Sequence, residues 1–207
     1  DPTAVRRLNQ LTGPFILHRM KSDVLKELPP KTENVYRIEL EEEQRKLYLA
    51  AVVDAREKLQ AAKPEDKMAV FAVLMRLREI CCDPRLIADN WEGGSAKLDA
   101  CVELVSSAVE GGHRILLFSQ FTSMLELLAK RLDAEGISHF TLQGSTPKPV
   151  RAELVRRFNG GEVSVFLISL RAGGTGLNLT AADIVIHYDP WWNVAAQNQA
   201  TDRAYRI

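Results

Sequence analysis

Four short apolar runs constrain the fold of this chain more than any other feature. In one-letter code, the runs are RILLF (residues 114–118), HFTL (139–142), VSVFLIS (163–169) and DIVIHY (183–188). The predicted helices around them begin near Ala96, Thr122, Pro147 and Val194. Strands that are apolar along their whole length and alternate with helices are typical of a mostly parallel sheet with both faces covered. The sequence therefore predicts an α/β domain from residue 95 onward.

The first part of the chain, residues 1–94, is predicted to be mainly helical. One helix is predicted in ELEEEQRKLYLAAVVDAREKLQ (39–60), which starts acidic and then repeats apolar residues at helical spacing. A second helix is predicted in KMAVFAVLMRLREICC (67–82), ending near Asp83-Pro84. PPKTENVYRIEL (29–40) is predicted to hold a connector and one strand, and NWEGGS (90–95) is the predicted linker.

Charge and cysteine content narrow the possible classes of protein. The chain has 27 Lys and Arg residues and 27 Asp and Glu residues, so any basic surface for nucleic acid must be local. Three cysteines without metal-ligand spacing predict a reduced, cytoplasmic setting and no metal site, with Cys81 and Cys82 in the core or at the boundary of a helix. No apolar run is long enough to span a membrane. The missing initiator Met and the abrupt end indicate a fragment of a longer protein.

Polar or glycine-rich residues follow each of the four predicted strands. They are Ser119-Gln120, QGST (143–146), LRAGGTG (170–176) and DPWWN (189–193). Parallel strands end at the same edge of a sheet, and α/β sheets bind ligands beyond the carboxyl ends of their strands. The sequence therefore predicts a binding site at this edge.

Each of these segments also has a purely structural interpretation. LRAGGTG could hold a phosphate through backbone N–H groups or could be a tight strand-to-helix turn. Thr122 and Thr146 fit helix caps as well as binding groups. One of the two tryptophans of DPWWN is expected in the core, and the other could stack on nucleic acid. Arg203 and Arg206 share one helix face, which could be solvated or could carry a pair of fixed positive charges.

Taken together, these segments resemble a known family. ILLFSQFTSMLELLAKRL, LQGSTPKPVRAELVRRFN, VFLISLRAGGTGLNLTAADIVIHYDPWWN and QATDRAYRI resemble helicase motifs IV, IVa, V with its Trp-containing extension, and VI. Their order is similar to that of Swi/Snf-type DNA translocases of the second helicase superfamily, bacterial members above all, and PFILHRMKSDVLKELPPKTE resembles the segment before their second lobe. The resemblance implies a RecA-like three-layer second motor lobe over residues 95–207, preceded by a lobe connector and helical protrusion over residues 1–94.

The resemblance also implies roles for individual residues. The implied catalytic residues are two arginine fingers, Arg203 and Arg206, and the leading glutamine of their motif, Gln199. The residues implied to lie near ATP are Gly174, Gly176 and Asn178. The residues implied to lie near the DNA backbone are Ser119, Gln120, Gly144, Ser145, Thr146, Ser169, Arg171 and Gly173, with Trp191 or Trp192 coupling DNA to the ATP cleft. The implied partners are double-stranded DNA and an N-terminal RecA-like lobe, in a nucleoid-associated protein of the cytoplasm.

Two motifs on which such ATPases depend are missing. No Gly is followed by Lys, and no Asp is followed by Glu, so the Walker phosphate loop and the acidic Mg²⁺ motif are both absent. We therefore expect ATP and Mg²⁺ to bind mainly on the first lobe and this chain alone to be inactive. Two other classes stay open: a dinucleotide-binding oxidoreductase lobe, against which the missing third glycine after Gly174 and Gly176 argues, and a non-enzymatic binding module.

Overall fold

The computed structural model describes residues 3, 7, 11, 32–61, 67–173 and 177–201. The chain divides into one compact unit that contains residues 1–36 and a second that contains residues 37–206. In the first unit, residues 32–36 are exposed and have no regular secondary structure.

The second unit begins with two helices, which we call the helical arm. They are α1 (Glu42–Ala61) and α2 (Lys67–Cys82), and they confirm both helices predicted here. The buried side chain of Gln44 joins them, because its Nε2 donates to the Ile80 carbonyl oxygen at 2.7 Å. The strand predicted in residues 29–40 is wrong over its described part, since residues 32–41 have no regular structure. A strand needs a neighbour for its backbone hydrogen bonds, and none of the described strands lies beside this segment.

The predicted alternation of helices and strands follows the arm. In chain order the elements are α3 (Ala96–Glu110), β1 (Ile115–Ser119), α4 (Thr122–Ala134), β2 (His139–Leu142), α5 (Lys148–Asn159), β3 (Val165–Ser169), the four-residue α6 (Leu170–Gly173), β4 (Ile184–His187) and α7 (Val194–Thr201). A 3-10 turn at Pro84–Leu86 links the arm to this part. The predicted helix starts are confirmed to within one residue.

The described strands form one parallel sheet in the order β2-β3-β1-β4. The register places Ser119 beside Ser169 and Phe118 beside His187. Because all the pairings are parallel, the four carboxyl ends lie at one edge, which we call the carboxyl edge. The two inner strands, β1 and β3, are buried at every residue.

The core lies on both faces of the sheet, which confirms the predicted three-layer α/β architecture. On one face, Leu117 and Leu167 pack with apolar residues of α3 and α4. On the other face, Phe118 and Phe166 pack with Phe158 of α5 and Ala200 of α7. Alternate residues of each inner strand point to opposite faces, so a continuous apolar strand is the expected solution for a sheet covered on both sides.

Two helix caps considered in the sequence are wrong. Helix α4 begins at Thr122 itself, with Phe121 in the capping position. Helix α5 has Pro147 in the capping position, and the Thr146 hydroxyl instead accepts a hydrogen bond from the Gln143 N–H at 3.1 Å. The second error follows from Pro147, whose extended backbone directly precedes the first helical residue, Lys148.

The arm is attached to the sheet through the end of α2. The Cys82 carbonyl oxygen accepts hydrogen bonds from the Tyr188 hydroxyl at 2.8 Å and from the Ser95 hydroxyl at 3.1 Å. Cys82 is buried and Cys81 is half-buried, as predicted, and burial raises the pKa of the Cys82 thiol to about 12. Within the described ranges, no helix has the length and apolar character needed to cross a membrane.

Candidate functional site

The carboxyl edge gathers the segments that the sequence singled out. The loop after β2, Gln143–Thr146, is called the QGST loop, and the loop after β4, Asp189–Trp192, is called the DPWW loop. Ser119 ends β1 and Gln120 follows it, and the short helix α6 follows β3. The parallel register brings Ser119 and Ser169 side by side.

The QGST loop is held by an arginine from the helix that follows it. The Arg151 guanidinium donates to the carbonyl oxygens of Thr146 at 2.7 Å, Gly144 at 2.7 Å and Gln143 at 3.4 Å. Inside the loop, the Thr146 N–H donates to the Gln143 carbonyl oxygen at 3.1 Å. Gly144 and Ser145 are exposed, and their N–H groups have no hydrogen-bond partner among the described residues. The loop therefore directs carbonyl groups to Arg151 and leaves backbone donors and one hydroxyl for an external anion.

The DPWW loop is held by a buried carboxylate. Asp189 accepts the Gln120 N–H at 3.0 and 3.3 Å through its two oxygens, and the Ser119 side chain also hydrogen-bonds to it. Arg78 of α2 lies 3.9 Å from the same carboxylate. Burial nevertheless raises the pKa of Asp189, because desolvation outweighs these favourable contacts.

The two tryptophans of the DPWW loop have different environments. Trp191 is half-buried, and its backbone N–H donates to the side-chain oxygen of Gln197 at 3.2 Å. Trp192 is 47 % exposed, with its ring centroid 5.9 Å from that of Phe71 and 4.5 Å from the Arg78 guanidinium carbon. Trp191 is only partly enclosed and Trp192 is exposed, so the expectation that one of the two tryptophans is a core residue is wrong. The loop leaves Trp192 as a flat, accessible ring at the carboxyl edge.

Two serines predicted near DNA are enclosed instead of exposed. The Ser119 hydroxyl oxygen accepts the Phe121 N–H at 3.1 Å, and that of Ser169 accepts the Ala172 N–H at 3.3 Å. Both side chains thus start the turns that follow their strands. The Gln120 side-chain amide is also enclosed and has no partner among the described residues, whereas Arg171 is exposed.

The residues predicted near ATP are only partly described. Gly174, Gly176, Arg203 and Arg206 lie outside the described residues. Asn178 is exposed between the buried Leu177 and Leu179, and its carbonyl oxygen accepts the Asn159 side-chain amide at 2.9 Å.

The helix that carries Gln199 is attached to the sheet. Gln199 belongs to α7, and Gly173 ends α6. Helix α7 is fixed to β4, since His187 Nε2 lies 2.8 Å from the Thr201 hydroxyl. In the sequence, Arg203 and Arg206 therefore come two and five positions after the anchored Thr201.

Three residues of this edge were missed in the sequence. Arg151 carried a local signal, since it stands one helical turn beyond the proline that follows the QGST loop. Asp189 lay inside a segment noticed only for its tryptophans. Arg78 had no signal, because the carbonyl oxygen that it contacts at Pro190 is 112 positions away in the chain.

A divalent metal needs several oxygen ligands close together. In the part of the chain that the structure describes, no three His, Cys, Asp or Glu residues come together in such a group. The described residues therefore do not fit a resident Mg²⁺.

The chain matches known proteins along its whole length. An uncharacterized ATP-dependent helicase of Mycoplasma genitalium is 38 % identical over 98 % of this chain and 20 % of that protein. A putative ATP-dependent helicase/translocase of Bacillus subtilis is 39 % identical over 100 % of this chain and 23 % of that protein. The chain thus spans about a fifth of the length of these relatives.

A solved structure extends the likeness to three dimensions. The Sulfolobus solfataricus SWI2/SNF2 ATPase core in complex with dsDNA has a TM-score of 0.75 and 29 % identity, covering 98 % of this chain and 44 % of that one. The family model described as the SNF2-related domain matches residues 1–86. The model described as the helicase conserved C-terminal domain matches residues 96–207, more than half of the chain. The chain belongs to the helicase conserved C-terminal domain family, and its RecA-like fold is that of SWI2/SNF2-type ATPases.

Proposed function

We propose that this chain is the second motor lobe of an ATP-dependent translocase or remodelling ATPase that acts on double-stranded DNA. The family match, relatives named ATP-dependent helicases and a structural neighbour in complex with dsDNA support this proposal. In it, the lobe completes an ATP site with Arg203 and Arg206 and contacts the DNA backbone through the carboxyl edge. The full-length protein would work in the cytoplasm, at the nucleoid.

The geometry of the QGST loop is the observation that carries the proposal. Two exposed residues in sequence, Gly144 and Ser145, have backbone donors without a partner among the described residues, while Arg151 holds the loop carbonyls. Backbone N–H and hydroxyl groups hold phosphates without reading bases. This arrangement suits an enzyme that moves along DNA of any sequence.

We assign the DNA contacts by exposure. Gly144, Ser145, Arg171 and Trp192 are exposed and touch DNA in this proposal, with Thr146 and Gly173 beside them. Ser119 and Ser169 are enclosed, so their role is to shape the loops, and Gln120 and Trp191 support the same edge from within. Binding should therefore be independent of sequence and weakened by salt.

The ATP site is assigned to both lobes. Since the chain lacks the Gly-Lys and Asp-Glu motifs, an N-terminal RecA-like lobe would hold most of ATP and its Mg²⁺. Gly174, Gly176 and Asn178 would line the second side, and Gln199 would lead the motif that delivers the arginines. ATP supplies the phosphoryl group, and a guanidinium from the second lobe stabilises the charge that develops on it.

Steady-state ATPase measurements on the full-length protein test this proposal. Arg203→Ala and Arg206→Ala should each lower the turnover number at saturating DNA by about 10³, the usual effect of an arginine finger. ATP affinity should fall much less, and Arg→Lys should restore little, since an ammonium lacks the two-pronged contact. Near-normal turnover in both alanine variants would mean that Arg203 and Arg206 lie on a solvated helix face and are not arginine fingers. DNA binding without any ATPase activity would favour a non-enzymatic module, and this chain alone should hydrolyse no ATP.

A further inference from the structure

Arg78 connects the helical arm to the DPWW loop. Its Nη2 donates to the Pro190 carbonyl oxygen at 2.5 Å and lies 3.9 Å from the Asp189 carboxylate. Its guanidinium carbon is 4.5 Å from the Trp192 ring centroid and 5.8 Å from that of Trp191. The side chain is 20 % exposed, whereas most helical arginines extend into water. One guanidinium thus contacts every residue of this loop.

Trp192 lies against one face of α2. Phe71 stands seven positions before Arg78, which places both side chains on the same face, two turns apart. The Phe71 ring centroid lies 5.9 Å from that of Trp192, and the Arg78 guanidinium carbon lies 4.5 Å from the same Trp192 centroid. The exposed tryptophan is therefore placed by the arm, although it belongs to the sheet part of the chain.

The same contact reaches the end of β1. Asp189, beside Arg78, accepts the N–H of Gln120 through both carboxylate oxygens. Gln120 directly follows Ser119, the last residue of β1, which pairs with Ser169 at the end of β3. A displacement of Trp192 would thus be transmitted through Arg78 and Asp189 to the two central strand ends.

We propose that Arg78 is a positioning residue that fixes Trp192 on the arm and links its contact with DNA to the central strand ends, so that DNA stimulates ATP hydrolysis. The consequence for hydrolysis rests on the proposed function; the positioning of the loop does not. The planar guanidinium is needed because one group must meet a carbonyl oxygen, a carboxylate and an indole face together.

The test compares Arg78→Gln with Arg76→Gln in the full-length protein. Arg76 is exposed on the same helix, so its substitution removes the same charge from the arm without touching the loop. Hydrogen exchange followed by mass spectrometry reports on the peptide that covers residues 189–197, and ATPase rates with and without duplex DNA report on coupling. Arg78→Gln should speed exchange in that peptide several-fold and lower the ratio of DNA-stimulated to basal ATPase at least fivefold. Arg76→Gln should change neither.

A third variant separates the positive charge of residue 78 from the planar shape of its guanidinium. Arg78→Lys keeps the positive charge but loses the flat contact with Trp192, so it should restore only part of both readouts. Full restoration would overturn the role of the planar contact. If Arg78→Gln fails to fold, as judged by its melting curve, Arg78→Lys takes its place against an Arg76→Lys control.

The outcomes distinguish this proposal from the function on which it rests. Unchanged exchange over residues 189–197 would overturn the positioning role. Faster exchange with an unaltered stimulation ratio would overturn the link to hydrolysis. A parent protein whose ATPase does not respond to DNA would refute the proposed function, and the exchange result would still decide how the loop is held.

Discussion

The QGST loop and the DPWW loop are two strand-end loops at the same edge, and each is held by one arginine. Arg151 reaches back only five to eight positions to the QGST carbonyls, whereas Arg78 reaches a carbonyl 112 positions away. The QGST loop is therefore a self-contained turn that the following helix keeps in shape. The DPWW loop is contacted both by the end of β1 and by the arm, so it also depends on how the arm packs against the sheet.

The two loops also differ in whether they contain a buried carboxylate. No carboxylate stands among the residues of the QGST loop, and its exposed residues can be hydrated. The DPWW loop contains the buried Asp189, whose partners come from the end of β1 and from α2. We infer that changes in the first loop alter binding more than stability, and changes in the second alter stability and coupling together.

Removal of the Asp189 carboxylate should have the largest effect. Asp189→Ala leaves the Gln120 N–H without its acceptor and Arg78 without a neighbouring anion, and breaking a buried pair in this way costs about 3 kcal/mol. Asp189→Asn keeps an acceptor and should cost about 1 kcal/mol. Urea denaturation of this chain measures both values. Equal losses in the two variants would mean that the hydrogen bond to Gln120 contributes little to the loop.

Loss of Arg151 should have a smaller effect, on DNA binding instead of stability. Arg151→Gln releases three loop carbonyls, so the N–H groups of Gly144 and Ser145 lose their fixed direction. We expect duplex affinity to fall about tenfold, as for one lost charge-assisted hydrogen bond. The matched control is Arg156→Gln on the same helix, since Arg156 is exposed and pairs with Glu153 at 2.5 Å. Fluorescence anisotropy with a labelled duplex measures both, and equal losses would indicate an effect of net charge alone.

Local signals in the sequence are enough to predict some parts of this structure. The inner strands β1 and β3 were predictable because every residue before their final serines is apolar. Asp83-Pro84 marks the end of α2 because proline acts on its direct neighbour. These signals are local. The cap at Thr146 failed for a local reason too, since Pro147 took the capping position.

The arrangement around the DPWW loop could not be predicted from the sequence. Nothing near Arg78 in the chain indicates Asp189, and two tryptophans in sequence give no sign of which one the arm will contact. Trp192 is placed by Phe71 and Arg78, both from a helix more than a hundred residues earlier. Contacts of this kind depend on how two packed elements meet, which periodicity and spacing do not encode.

The two loops should also differ in how their contribution to stability depends on pH. Burial raises the pKa of Asp189 above its ordinary value of 3.8, against the opposing effects of Ser119, Gln120, Lys97 and Arg78. The folded protein therefore binds this proton more tightly than the unfolded chain, so the stability that Asp189 contributes is greatest below pH 3.8 and falls as the pH rises through the folded pKa. The free energy of unfolding of the parent minus that of Asp189→Asn should consequently decrease as the pH rises from below 3.8 through the folded pKa of Asp189. The same difference taken for Arg151→Gln should stay flat, because no residue of the QGST loop titrates in this range. Urea denaturation in a series of buffers at constant ionic strength measures both differences. A parent-minus-Asn difference that increases with pH would mean that Arg78 and the Gln120 N–H outweigh desolvation, and that the carboxylate is held as a full ion pair.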